Sequence, residues 1–248
     1  MKKYFLLIFV TLFFISCTSK TPYTNRSQMI LMSESEELSL GEQSYGETLK
    51  NSKVIKNSFD ANRVKQIGEK IAAVSKKDNY NWEFNLVQND AANAFCLPGG
   101  KVVVYTGILN VAKNDDQLAT VISHEIAHAL ARHGAERVSM AKVKAGIGAI
   151  GNVVLSGIGS PYGNVINQAY GLTTQYGVMM PYGRMQENEA DEIGIILMQK
   201  AGYDLNEAIK FWDNMSKDKE KVNEFFSTHP SSENRIENIK SIINKIEG

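Results

Sequence analysis

Cysteine is nearly absent from this chain: Cys17 and Cys96 are the only two in 248 residues. If Cys17 is modified, Cys96 has no partner and no intramolecular disulfide forms. An excess of either charge is missing too. Lysine and arginine number 27, as do aspartate and glutamate, and the formal net charge is zero at pH 7. No basic tract is present, so no nucleic-acid partner is expected. No internal repeat occurs. Past the N-terminus no apolar run is long enough to span a bilayer, because glycines, Asn152 and Ser156 interrupt the stretch 145–159. Histidine is scarce as well, with four residues in all, and two of them fall in one pentapeptide.

That pentapeptide is His124-Glu125-Ile126-Ala127-His128. Residues four apart share a face of an α-helix, so the two imidazoles can grip one zinc ion while Glu125 takes a proton from water beside it. The flanks favour a helix. Asn114 or Asp115 suits the N-cap, and Leu118, Val121, Ile122, Ile126, Ala129 and Leu130 form an apolar stripe at helical spacing. A buried helix whose histidines make only structural hydrogen bonds is the competing reading.

Catalytic zinc takes three protein ligands as a rule. The candidates for the third lie in Glu187-Asn188-Glu189-Ala190-Asp191, at the start of another expected helix. Glu187 and Asp191 are four apart and share a face. One carboxylate can ligate zinc while the other accepts the free ring N–H of a histidine ligand. The competing reading is an acidic, solvated first turn.

His-Glu-x-x-His followed by Glu-x-Glu-Ala-Asp-x-x-Gly resembles the HtpX-like and CaaX-prenyl-protease-like gluzincin metallopeptidases, and within them the soluble periplasmic lipoprotein branch (BepA/LoiP-like). Two further stretches carry the resemblance: 93–107, which contains Asn93-Ala94-Phe95 and Leu97-Pro98-Gly99-Gly100, and Thr228-His229-Pro230 with Arg235. The likeness runs from about residue 40 to 246. It implies that His124, His128 and Glu187 hold one Zn2+ per chain, that Glu125 is the general base, and that Asp191 supports a histidine ligand. Glu189 matches the motif but points to another helix face, so it is left out of the metal. His229 or Arg235 can stabilise an oxyanion, and His229 can instead take the fourth zinc position at rest. His133 matches no motif and is read as a surface residue. Cys96 is read as a small packing residue.

The expected fold is α+β: a mostly helical, zincin-type metalloprotease domain with a small β-sheet beside the motif helix. Helices are expected over 36–49, 62–74, 187–200, 205–216 and 232–246, with another starting near 135. Strands are expected over 82–87 and 101–105, with a turn at Pro98-Gly99-Gly100. Strand 101–105 would lie beside the cleft and offer an edge to an extended peptide. The glycine- and tyrosine-containing stretch 146–183 would be a mobile cover.

Residues 1–16 read as a lipoprotein signal peptide: Lys2 and Lys3 precede an apolar core, and Phe14-Ile15-Ser16-Cys17 resembles a lipobox. Residues 17–35 read as a polar tether anchored to the membrane by lipid on Cys17, and 36–248 as the metallopeptidase domain. The expected activity is zinc endopeptidase cleavage of unfolded or misassembled protein in a Gram-negative periplasm, lipid-anchored to the outer membrane. The alternative is a chaperone or assembly factor working with the outer-membrane assembly machinery.

Overall fold

The computed structural model describes residues 18–149, 183–217, 222–230 and 234–248. The expected signal peptide, Cys17 and most of the expected cover at 146–183 lie outside these residues.

Two strands come first, β1 (Thr18–Lys20) and β2 (Ser27–Met29), paired as an antiparallel hairpin. The elements α1 (Glu34–Lys50), β3 (Val54–Ile55), α2 (Phe59–Val74), β4 (Glu83–Val87), β5 (Ala94–Leu97) and β6 (Lys101–Tyr105) follow. The motif helix is α3 (Asp115–Leu130), and α4 (His133–Ala149) starts directly after it. The C-terminal part holds α5 (Arg184–Ala201), α6 (Asn206–Lys217), α7 (Asn223–Thr228) and α8 (Arg235–Glu247). This is the mostly helical α+β architecture that the sequence implies. Among the described residues no helix is long and apolar enough to cross a membrane.

Local chemistry sets the helix ends. Ser33 caps α1 in a reciprocal box with Glu36, and Ser58 caps α2. Asn114 caps α3 by accepting from the Gln117 N–H at 2.8 Å. Each such cap contributes about 1 kcal/mol. Gly202 ends α5 in the left-handed region, φ 72°, as its place after the apolar run implies.

The larger sheet has the order β3-β4-β6-β5, with β4 and β6 parallel and the other pairs antiparallel. Gly99 and Gly100 turn β5 into β6 with φ of 84° and 83°, and a Cβ on Gly100 would sit 2.6 Å from the Trp82 ring. Strand β6 is paired on both sides, which corrects the expectation that it offers a free edge; β5 is the edge strand beside α3. A run of three valines reads the same in a central strand as at an edge. The pleat divides the run. Val102 and Val104 join the main core with α2, α3 and α5, while Val103 joins a second core with Tyr45 of α1, Phe95 and Leu97. Cys96 is buried in the main core, in keeping with a packing role.

Residues 18–29 are not a free tether. Their hairpin docks on the helical domain, with Thr21 and Gln28 buried. The carboxylate partners of Thr21 and Arg26 lie more than a hundred residues away in sequence, so no local periodicity signals the docking.

Helix α3 packs most extensively against α5. Gly194 makes the approach close: a Cβ there would meet the His124 backbone nitrogen at 3.2 Å and Ser123 Oγ at 3.3 Å. Gly194→Leu is therefore expected to destabilise the chain by about 1–3 kcal/mol, as overpacking does. Thermal unfolding checks this, and an unchanged melting temperature would contradict the contact.

Candidate metal centre

From Gln117 to Leu130 every residue of α3 is buried. His124 and His128, one turn apart, bring their Nε2 atoms to 3.1 Å. Glu187, in the first turn of α5, places Oε2 3.4 Å from His124 Nε2 and Oε1 3.3 Å from His128 Nε2. His229, just past α7, sets Nδ1 3.1 Å from Glu187 Oε1 and stacks on Phe225 at 4.5 Å between centroids. One donor atom from each of these four residues lies within 4.8 Å of the others.

The other expected site residues converge on the same point. Asp191 Oδ1 lies 2.9 Å from His124 Nδ1. Arg235 reaches Asp191 Oδ1 at 2.6 Å and Glu187 Oε2 at 3.2 Å, with its guanidinium 3.4 Å from the centroid of the Trp212 ring. Both terminal nitrogens of Arg235 thus face carboxylates. Glu125 is 1% exposed, and its Oε1 stands 3.5 Å from His229 Nε2. Glu189 lies outside the donor group.

The electrostatics follow from burial and neighbours. Burial works against charge on Glu187, but His229, His124 and His128 outweigh it and hold the carboxyl well below the usual range. Burial also opposes charge on His124, yet Asp191 and Glu187 raise its pKa to about 9. His128 goes the opposite way, held well below its usual value mainly by burial. The difference has a structural cause. A carboxylate backs His124, whereas His133 backs His128, Nδ1 to Nδ1 at 2.8 Å.

The donor set fits a divalent cation. Three carboxylates (Glu125, Glu187 and Asp191) and one guanidinium are buried among the imidazoles, and unpaired buried charge is costly. Imidazole nitrogens with a carboxylate oxygen are what zinc takes at catalytic sites.

Comparison with known proteins agrees with this chemistry. The model of peptidase family M48 matches residues 58–243. The chain belongs to peptidase family M48. This M48 chain is 32% identical to the mitochondrial metalloendopeptidase OMA1 of Saccharomyces cerevisiae over 98% of its own length and 75% of that protein. It is 30% identical to the mitochondrial metalloendopeptidase OMA1 of Homo sapiens, over 96% of its length and 48% of that protein. The beta-barrel assembly-enhancing protease of Escherichia coli matches at 27% over 74% of the chain and 39% of that protein. The chain therefore spans about half or less of the length of the last two relatives. Family and donor set together make it a zinc metalloendopeptidase.

These relatives correct the expected location. The two at 30% identity or more are named as mitochondrial enzymes, and the bacterial relative is more distant, so a Gram-negative periplasm is overturned. Lysines before an apolar run mark many targeting segments and do not specify which membrane is meant. Lipid anchoring through Cys17 and outer-membrane assembly partners find no support in these relatives.

Sequence reasoning missed His133, which is fully buried, and Trp212, which lies under Arg235. Arg132 adopts φ 55°, so the chain breaks sharply between α3 and α4 and turns the His133 ring back onto His128. The one usable signal was scarcity: all four histidines of the chain meet here. Purified protein is expected to hold about one zinc per chain, as a single catalytic site does. Glu187→Ala is expected to weaken zinc sharply while helicity is retained; metal analysis with circular dichroism checks both.

Proposed function

We propose that this metalloendopeptidase cuts unfolded or misassembled protein chains, with zinc held by His124, His128 and Glu187 and with Glu125 as general base. One observation carries the reading. Glu125 sits between the two motif histidines, buried, and its Oε1 accepts no hydrogen bond. Burial raises its pKa above the usual carboxylate value, which makes it a stronger base for taking a proton.

When bound, zinc supplies Lewis acidity toward the scissile carbonyl and lowers the pKa of water toward neutrality. The protein side chains do the rest. Glu125 takes the proton from water and delivers it to the leaving amine. Asp191 accepts the Nδ1–H of His124 and so turns its Nε2 toward the other donors. Arg235 holds Glu187 and Asp191 in register; with its terminal nitrogens engaged, it positions rather than touching the substrate. His229 serves as a fourth donor in a resting arrangement and withdraws for cleavage, a role suited to its place beside Glu187 on the six-residue helix α7.

Unfolded chains suit such a site because backbone pairing to a strand edge disregards most side chains. Among the described residues β5 pairs only with β6, so its other edge is the one near α3 for a peptide to join. Residues 94–97 are buried, so pairing there needs neighbouring chain to move aside.

Glu125→Gln is expected to keep zinc and lose about 100-fold or more of its cleavage of an unfolded protein such as reduced casein. Undiminished cleavage by that variant overturns the assignment. Casein binding without cleavage by the unmodified enzyme replaces it with a chaperone role. His229→Ala is expected to keep zinc and raise basal cleavage; a fall in cleavage would put His229 at the reacting carbonyl instead.

A further inference from the structure

The second turn of α5 carries a further buried carboxylate, Glu189, which faces away from the donor cluster. It accepts hydrogen bonds from Thr21 Oγ1 at 2.7 Å, from Thr24 Oγ1, from Arg26 Nε at 2.5 Å and from His133 Nε2 at 3.0 Å. Three of these donors lie on the segment joining β1 to β2. The same Arg26 grips Glu136 of α4 with both terminal nitrogens, at 2.7 and 2.8 Å, and Gln186 donates to Glu136 at 2.6 Å. The family match begins at residue 58, so the hairpin lies outside it while His133 and Glu189 lie inside.

We propose that His133 is a positioning residue for the zinc donor His128, and that the N-terminal hairpin is a working part of the metal centre through its hold on Glu189. This rests on the reading of His128 as a zinc donor given above.

Hydrogen-bond directions carry the argument. An ionised carboxylate only accepts, so His133 Nε2 donates to Glu189. In the neutral ring Nδ1 is then an acceptor, and it faces His128 Nδ1 at 2.8 Å. His128 must donate from Nδ1, which leaves the lone pair of its Nε2 directed at Glu187 and His124. The opposite direction cannot hold zinc. If His133 donated to His128, neutral His128 would carry its proton on Nε2, and His133 would be a cation in a site that is 0% exposed. His124 obtains the same tautomer directly from Asp191. His128 obtains it through one further ring, from a carboxylate that the hairpin fixes. Partners of this kind tune both the orientation and the basicity of a ligand.

The test measures zinc affinity of the full chain by competition with a chromophoric chelator, alongside the visible spectrum of the cobalt(II)-loaded protein and circular dichroism. His133→Leu is expected to bind zinc about 10–100-fold more weakly and to shift the cobalt bands. His133→Gln keeps an acceptor and a donor on one amide and is expected to recover most of the loss. Thr21→Val with Thr24→Val, far from the donors, is expected to weaken zinc in the same direction by a smaller factor. Wild-type affinity in folded His133→Leu overturns the role of His133. Should that variant fail to fold, affinity in His133→Gln as poor as that of His133→Ala decides against it. Unchanged affinity in the threonine double variant overturns the role of the hairpin. Because affinity is the readout, a chain that binds zinc as expected but cleaves nothing refutes the proposed function and leaves this inference standing. Retention of zinc by His128→Ala would refute the donor assignment on which it rests.

Discussion

A carboxylate with almost no access to water, Glu187, sets the terms for the surrounding fold. Taking one ion out of water costs several kcal/mol unless donors and countercharge surround it. Here His124, His128 and His229 stand on one side and Arg235 on the other. Those groups come from α3, the end of α7 and the start of α8, so four helices are committed to one point in space. Gly194 allows the approach of α5 to α3, and Trp212 of α6 supplies an aromatic face beneath the guanidinium. The helix packing and the charge balance are one arrangement described at two scales.

Helix α5 repeats the problem on its opposite flank. Residues two apart in a helix point to different sides, so Glu187 faces the donors and Glu189 faces α4 and the hairpin. Burial again works to raise the carboxyl, and His133, Thr24, Thr21 and Arg26 outweigh it, bringing Glu189 to about 2. The two carboxylates are bridged through side chains, Glu189 to His133 to His128 to Glu187. A disturbance of the hairpin therefore has a hydrogen-bonded route to the metal donors that does not pass through the apolar core.

What could be read from the letters divides by the range of the interaction. The α3 stripe, its cap at Asn114, the αL glycine at 202 and the Pro98-Gly99-Gly100 turn are local, and each is legible because its cause lies within a few residues. The convergence of Glu187, Asp191, His229 and Arg235 on α3 is not local. Glu187 and Asp191 are candidates from their one-turn spacing and from zinc's need for a third ligand, whereas His229 and Arg235 are legible only through the resemblance to a known family. The hairpin had neither advantage. Thr21, Thr24 and Arg26 make no apolar pattern, and their partner is over 160 residues away. His133 was misread because the end of a helix is ordinarily exposed, whereas the left-handed Arg132 bends this one inward. The edge strand was misassigned because three consecutive valines say that a strand is buried but not which neighbours bury it.

The donors differ in how firmly they are held, and that difference bears on how a closed site can work. His124 and His128 lie on a sixteen-residue helix buried along most of its length, and Glu187 opens an eighteen-residue helix packed against it. Each has a second partner holding it from behind: Asp191, His133 and Arg235 respectively. His229 is held differently. It follows a helix of six residues, its backbone has left the helical region at φ −121° and ψ 77°, and its ring stacks on Phe225 of the same short helix while Nδ1 faces Glu187. A peptide carbonyl cannot reach donors that are 2% exposed or less unless something gives way. Moving α3 or α5 would break several buried charge contacts at once, whereas turning the His229 side chain aside gives up one donor and leaves the other three in place. In the proposed cycle the opening step therefore belongs to the His229 side chain, and the tripod of His124, His128 and Glu187 stays intact through it.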